Sequence, residues 1–281
     1  MKKFLLIFKL IVISTSALTV TPAHARTERI YAELKSEFSK GLQDRQNALQ
    51  RMRAYRLPSD KTDLLVNHYI SIVNDPAVVD RLFEEVKSLG VIDRLLEDPR
   101  SANEETPKLA SFGYELFETL AMRGLRRVEH EDQRQYLRAL KVMLEVLPPK
   151  LCRAIVLGDV SGQQAESAAL VSAFSRMKVP EIESYLRVAR KAILAEVRDF
   201  PSVRSLSDNQ RKIAQQAFET AFFKRLARHP RSNQLIAAFG NMESAPDKDL
   251  CDANNEVILT MLEMTGVIAE WQVRTFIESI Q

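Results

Sequence analysis

Hydrophobic residues recur at intervals of three and four along nearly the whole chain. This spacing places apolar side chains on one face of an α-helix, whereas the strict alternation that is typical of strands is rare. The segments are separated by short turns, which favour antiparallel packing of neighbouring helices. The sequence therefore predicts an all-α fold, a multi-helix bundle or array of about ten helices.

Proline and capping residues divide this pattern into helices. The first predicted helix is long and extends from Arg26 to near Pro58, and Asp75-Pro76 has the capping acid and first-turn proline of a new helix. A helix that begins near Glu131 ends at Pro148-Pro149, because proline cannot continue a helix at that point. We therefore expect two helical lobes, residues 26–147 and residues 148–281.

The first 25 residues have the composition of a secretory signal peptide. Two lysines are followed by an apolar stretch, densest over Leu10–Val20, and then by Ala23-His24-Ala25, a small-x-small cleavage site. The uninterrupted apolar run is about half of the roughly 20 residues that a membrane span needs. We predict that residues 1–25 are a cleavable signal peptide of a bacterial protein, which is periplasmic or secreted and has no integral membrane segment after cleavage.

The net charge of +3 comes from three lysines inside this predicted leader. Without Lys2, Lys3 and Lys9, the basic and acidic side chains balance. Proteins that bind nucleic acids usually carry a basic surplus that neutralises phosphates. We therefore expect no nucleic-acid partner.

The densest basic run lies in a predicted helix near residues 208–229 and in the turn that follows it. It invites two interpretations: contact with an acidic partner or anionic lipid head groups, or a solvated helix face with Phe222 and Leu226 turned to the core. As candidate partner-binding residues we take Lys224, Arg225, Arg228 and Arg231.

The chain contains two cysteines, Cys152 and Cys251. In an oxidising compartment a single pair is most simply a disulfide, and a loop of about 100 residues stabilises the fold by roughly 4.7 kcal/mol in the chain-entropy model. The cysteines form no C-x-x-C motif, and no histidine stands at ligand spacing beside either of them. We predict a disulfide in the second lobe, and neither a metal nor a cofactor.

Two short patterns resemble catalytic motifs. Ser175 and Lys178 fit S-x-x-K, as in penicillin-binding proteins and β-lactamases, but no K-T-G element follows and Ser207-Asp208 is better explained as a helix cap. Glu166-Ser167 resembles the catalytic glutamate-serine pair of lytic transglycosylases, although the aromatic and glycine-rich elements of a glycan groove are missing. Glu166 is therefore a weak candidate acid and the only catalytic candidate.

These patterns favour a non-enzymatic role. We expect an exported helical protein that binds a protein partner in the cell envelope, such as an inhibitor or immunity protein, a secretion chaperone or an envelope adaptor. The alternative is an envelope hydrolase or lytic enzyme that acts on peptidoglycan or lipid.

Overall fold

A computed structural model describes residues 23–97, 116–159 and 163–280. Almost all of the predicted leader lies outside these residues, so the signal peptide stays a prediction. Within the described ranges the chain forms fourteen helices and no strand, which confirms the all-α fold. None of the helices that the structure describes combines the length and apolar character that crossing a membrane requires.

The chain divides into two compact units, and the first comprises residues up to Ala54 and Leu65–Glu118. Its elements are α1 (Ala23–Gln43), α2 (Arg45–Arg53), the part of α3 (Ser59–Val73) from Leu65 onward, α4 (Pro76–Ser88) and α5 (Val91–Glu97). The core of this unit is formed by α4 and α5, on which α1 packs. The residues in contact are Phe83, Val86, Val91 and Ile92 with Tyr31, Leu34 and Phe38.

The predicted long helix before Pro58 is broken at Asp44, so that prediction is wrong at this point. The Asp44 carboxylate accepts hydrogen bonds from the backbone N–H groups of Gln46 at 2.8 Å and Asn47 at 3.2 Å. These bonds make Asp44 the N-cap of α2 and end the preceding helix. The start predicted at Asp75-Pro76 is confirmed, because Asp75 caps α4 through the N–H of Ala77.

The second unit comprises Tyr55–Leu64 and Thr119–Gln281. After α6, of which residues 116–124 are described, the helices are α7 (His130–Val146), α8 (Pro149–Leu157), α9 (Gln163–Arg176), α10 (Val179–Val197), α11 (Asp208–Leu226), α12 (Ser232–Gly240), α13 (Asp247–Glu263) and α14 (Gly266–Ser279). The predicted change of lobe at Pro148-Pro149 falls inside this unit, where α7 and α8 both contact α13. Pro149 is the first residue of α8.

Helix α13 occupies the centre of the second unit. It contacts α7, α8, α11, α12 and α14, and it buries residues along most of its length. Cys251 of α13 is paired at disulfide distance with Cys152 of α8, which confirms the predicted pair, and the two Cα atoms are 6.0 Å apart. Since both cysteines are buried, the pair joins two helices inside the core.

Candidate functional site

The C-terminal end of α11 and helix α12 present aromatic side chains around one buried ring. Phe222 is 1% exposed, and its ring centroid lies 5.6 Å from Phe218, 5.7 Å from Phe223 and 5.1 Å from Phe239. Leu226 is also buried, which confirms that Phe222 and Leu226 face the core. The rings of Phe223 and Phe239 therefore border the same buried side chain, although they come from different helices.

Three large apolar side chains of this region reach the surface. Phe223 is 50% exposed, Ile236 41% and Phe239 40%. Ile236 and Phe239 are three residues apart, so they lie on one face of α12. We refer to Phe223, Ile236 and Phe239 as the α11–α12 patch.

Helix α12 contains no charged residue, although much of it faces solvent. Only Leu235 and Ala238 are buried, whereas Ala237 is exposed beside Ile236 and Phe239. Solvated helices usually carry charged side chains on their outer face. An exposed apolar face rimmed by polar groups is a common mark of a protein interaction site.

The four predicted basic residues divide into two pairs. Lys224 and Arg228 are exposed and form no ion pair with any residue that the structure describes. Lys224 follows Phe223 directly, and Arg228 lies in the turn between α11 and α12. Both exposed charges therefore belong to the chain segment that carries the α11–α12 patch.

Arg225 and Arg231, by contrast, have internal acidic partners on α13. Arg225 binds Glu256 and, at 2.6 Å, Glu263. Burial alone would lower the pKa of Arg225, but its hydrogen bonds to the two glutamates hold that pKa above its ordinary value. Arg231 binds Asp249 and Asp252, so these two arginines contribute to the fold.

A cavity of about 430 Å³ lies beside the disulfide. Its charged walls include Glu145, Asp252 and Glu256, each of which is paired with a lysine or an arginine. Burial raises the pKa of Asp252, but hydrogen bonds from Lys248 and Arg231 outweigh that effect and keep the pKa below its usual value. A general acid at neutral pH needs a raised pKa, so Asp252 is not set up for that role.

Of the two sequence patterns that resemble catalytic motifs, one stays untested and the serine of the other is placed by the structure. Glu166 belongs to α9, but its side chain lies outside the described residues. Ser207 caps α11 in a capping box, accepting from the N–H of Gln210 at 3.3 Å, as the cap interpretation predicts. Within the described ranges, no group of histidine, cysteine and acidic residues is arranged to hold a metal ion.

No protein-family model, curated protein or solved structure matches this chain. The function therefore has to be inferred from the residues of the site. Sequence patterns pointed to the basic run but missed Phe223, Ile236 and Phe239. The signal that was available is the uncharged segment 232–240, although periodicity alone does not tell which of its apolar residues face solvent.

Proposed function

We propose that this protein is exported and binds an acidic protein partner of the cell envelope through the α11–α12 patch. The observation that carries the proposal is the uncharged, solvent-facing surface of α12 with Ile236 and Phe239 on it. Aromatic side chains supply much of the energy of protein interfaces when they enter a pocket on the partner. Lys224 and Arg228 then pair with carboxylates around that pocket.

The positive charges of Lys224 and Arg228 favour an acidic partner over a second copy of this chain. In a two-fold symmetric dimer the same surface meets itself. Such an interface would bring Lys224 and Arg228 of both copies together without a carboxylate among the patch residues to pair with them, and like charges in one interface oppose association. A partner with carboxylates at those positions removes this repulsion and is also steered toward the patch.

The size of the patch favours a protein over a lipid surface. Helix α12 has nine residues, and its apolar side chains are only about two-fifths exposed. Helices that lie in a membrane interface bury a longer apolar face with lysine or arginine along the opposite side. Helix α12 has neither feature.

The test is partner capture with matched variants, using a periplasmic extract of the source bacterium. Ile236→Ser combined with Phe239→Ser should weaken binding of a stoichiometric partner at least tenfold, since buried aromatic anchors are worth about 2 kcal/mol or more each. Lys224→Glu combined with Arg228→Glu should have a similar effect. The free energy of unfolding should fall by about 2 kcal/mol in the Ile236→Ser, Phe239→Ser variant, because Phe239 is 40% exposed and packs on Phe222, and by less than about 0.5 kcal/mol in the charge-reversal variant. Binding is therefore compared under conditions in which every variant is folded.

Two control variants carry the same substitutions elsewhere in the second unit. Val267→Ser removes an exposed apolar side chain of α14, and Lys212→Glu reverses an exposed charge near the start of α11. Both should retain partner binding. Equal capture by patch and control variants contradicts the proposal, as does patch-dependent dimerisation in sedimentation or patch-dependent flotation with anionic vesicles.

A further inference from the structure

The cavity beside the disulfide reaches one of the two cysteines and not the other. Cys251 lines this space of about 430 Å³, whereas Cys152 is not among the lining residues. The exposures agree, since Cys152 is 0% exposed and Cys251 is 6% exposed. The Cys251 Sγ lies 3.6 Å from the carbonyl oxygen of Pro149, another residue of the cavity wall. The disulfide is therefore open to approach from the Cys251 side and closed on the Cys152 side.

The size of the cavity determines which molecules can reach the disulfide. Its volume of about 430 Å³ falls within the range of small-molecule sites, which is roughly 300–1,000 Å³. A protein oxidoreductase carries its cysteine on its own surface, and a residue that is 6% exposed does not meet such a surface unless the fold opens locally. A low-molecular-weight thiol that enters the cavity needs no such opening.

The charges near the two sulfurs favour the same direction of attack. In thiol–disulfide exchange the rate depends on which sulfur can be approached and on how well the departing thiolate is stabilised. Cys152 has Lys150 two residues before it, exposed and without an ion pair to any described residue, and Arg153 after it. Cys251 instead has Asp249 two residues before it and Asp252 after it. A thiolate is therefore better stabilised at Cys152 than at Cys251.

We propose that Cys251 is a site of reversible modification by small-molecule thiols that enter through the cavity. A thiolate attacks the Cys251 Sγ and forms a mixed disulfide with it, while the bond between Cys152 and Cys251 breaks. The electron pair of that bond stays on the Cys152 Sγ, which takes a proton from water. The external thiol is thereby oxidised to the disulfide level, and Cys152 is reduced to a thiol.

The modification is reversible because Cys152 stays close to the adduct. The Cα atoms of the two cysteines are 6.0 Å apart, so the Cys152 thiolate can attack the Cys251 Sγ, expel the external thiol and restore the original bond. The adduct therefore accumulates only when the thiol is in excess. While it persists, α8 and α13 are no longer joined covalently. None of these steps depends on whether the α11–α12 patch binds a protein.

The first test locates the adduct in the oxidised full chain. The folded protein is mixed with excess 2-mercaptoethanol, quenched with acid at early times and capped with N-ethylmaleimide. Peptide mass spectrometry should find the mercaptoethanol adduct on Cys251 and the maleimide cap on Cys152. An adduct that is equally or more abundant on Cys152 would overturn the proposal.

The urea dependence of the same reaction distinguishes entry through the cavity from reduction after unfolding. Attack on the folded protein needs no global opening, so urea well below the unfolding transition should change the rate by less than about twofold. The rate should also rise in proportion to the thiol concentration. A rate that increases steeply with urea would show that reduction requires unfolding, and it would overturn the proposal.

A charge at the cavity wall allows a matched comparison. Lys248 lines the cavity, and its side chain is 68% exposed. Thioglycolate and cysteamine are thiols of similar size and opposite charge, and their rates are compared per thiolate. At low salt, Lys248→Glu should lower the thioglycolate-to-cysteamine rate ratio by about threefold or more, because it repels the anionic thiol and attracts the cationic one.

The control variant reverses a charge outside the cavity. Lys212→Glu changes an exposed lysine near the start of α11 and should leave the thioglycolate-to-cysteamine ratio as it is in the wild type. Since Lys248 and Lys212 both lie at the surface, neither substitution should prevent folding. Equal ratios in the two variants would overturn entry through the cavity.

Discussion

Helices α12 and α13 are neighbours in sequence and in space, yet they differ in which side chains they bury and which they expose. Helix α13 contacts five other helices, and its acidic side chains Asp249, Asp252 and Glu256 neutralise arginines from α11 and the following turn. Helix α12 has no charged residue and leaves Ile236 and Phe239 exposed. The contrast teaches that α13 uses its polar side chains to neutralise charges inside the fold, whereas α12 leaves part of its apolar surface in contact with solvent.

The largest expected effect comes from the cysteine pair that fixes α13 to α8. Replacing both Cys152 and Cys251 by alanine should lower the free energy of unfolding by about 4 kcal/mol, because the pair closes a loop with a sequence separation of 99 residues. Urea unfolding of the oxidised protein and the variant measures the difference. Reductant should lower the stability of the wild-type protein to that of the variant, and coincident curves for the oxidised protein and the variant would contradict the assignment.

A smaller effect is expected from the buried carboxylate at the centre of α13. Glu256→Gln should cost about 2 kcal/mol, because it leaves the partly buried Arg225 without its closest counter-charge. Glu263→Gln is the matched control, since Glu263 binds the same arginine but is 65% exposed and should cost less than about 0.5 kcal/mol. Chemical denaturation compares the two, and equal costs would argue against a structural role specific to Glu256.

The smallest expected effect is on how the free energy of unfolding decreases at acid pH. The pKa of Asp252 is lower in the folded protein than in the unfolded chain, where it is about 3.9. Ionised Asp252 therefore stabilises the fold above about pH 3.9. This stabilisation is lost as the pH falls through the pKa of Asp252 in the folded protein. Asp252→Asn should cost up to about 1 kcal/mol at pH 7, and the difference from wild type should shrink below about pH 4.

Thermal or urea unfolding across pH 2.5–7 measures this change. Glu243→Gln, at an exposed carboxylate that pairs with no described residue, should have a pH profile like that of the wild type. A gap between wild type and Asp252→Asn that stays constant down to pH 2.5 would contradict the linkage. Helix α12 carries no ionisable side chain, so substitutions in it should leave the decrease of stability at acid pH unchanged.

Helix positions could be predicted from the sequence because their signals are local. The 3–4 spacing, the cap at Asp75 and the cap at Ser207 each depend on residues within one helical turn. The break at Asp44 was missed although it is also local, since the apolar pattern continues across it. The Asp44 side chain ends the helix by capping the next one, although the spacing of apolar residues predicts that the helix continues.

The division of the basic run into paired and unpaired residues could not be predicted in the same way. Arg225 finds Glu256 and Glu263 on another helix 31 and 38 residues away, and Arg231 finds Asp249 after 18 residues. Which arginines and lysines are neutralised depends on how α11 and α13 pack against each other. This packing cannot be predicted from residues that are close in the sequence. The exposure of Ile236 and Phe239 depends on the same packing.

The cysteine pair also affects how the chain responds to peptide-bond cleavage. Helix α12, with its exposed Phe239, lies between Cys152 and Cys251 in the chain. A protease that cuts there produces two fragments that stay covalently linked under oxidising conditions. The second unit therefore retains both pieces after a single cut at its proposed binding surface, and they separate only when a reductant opens the link.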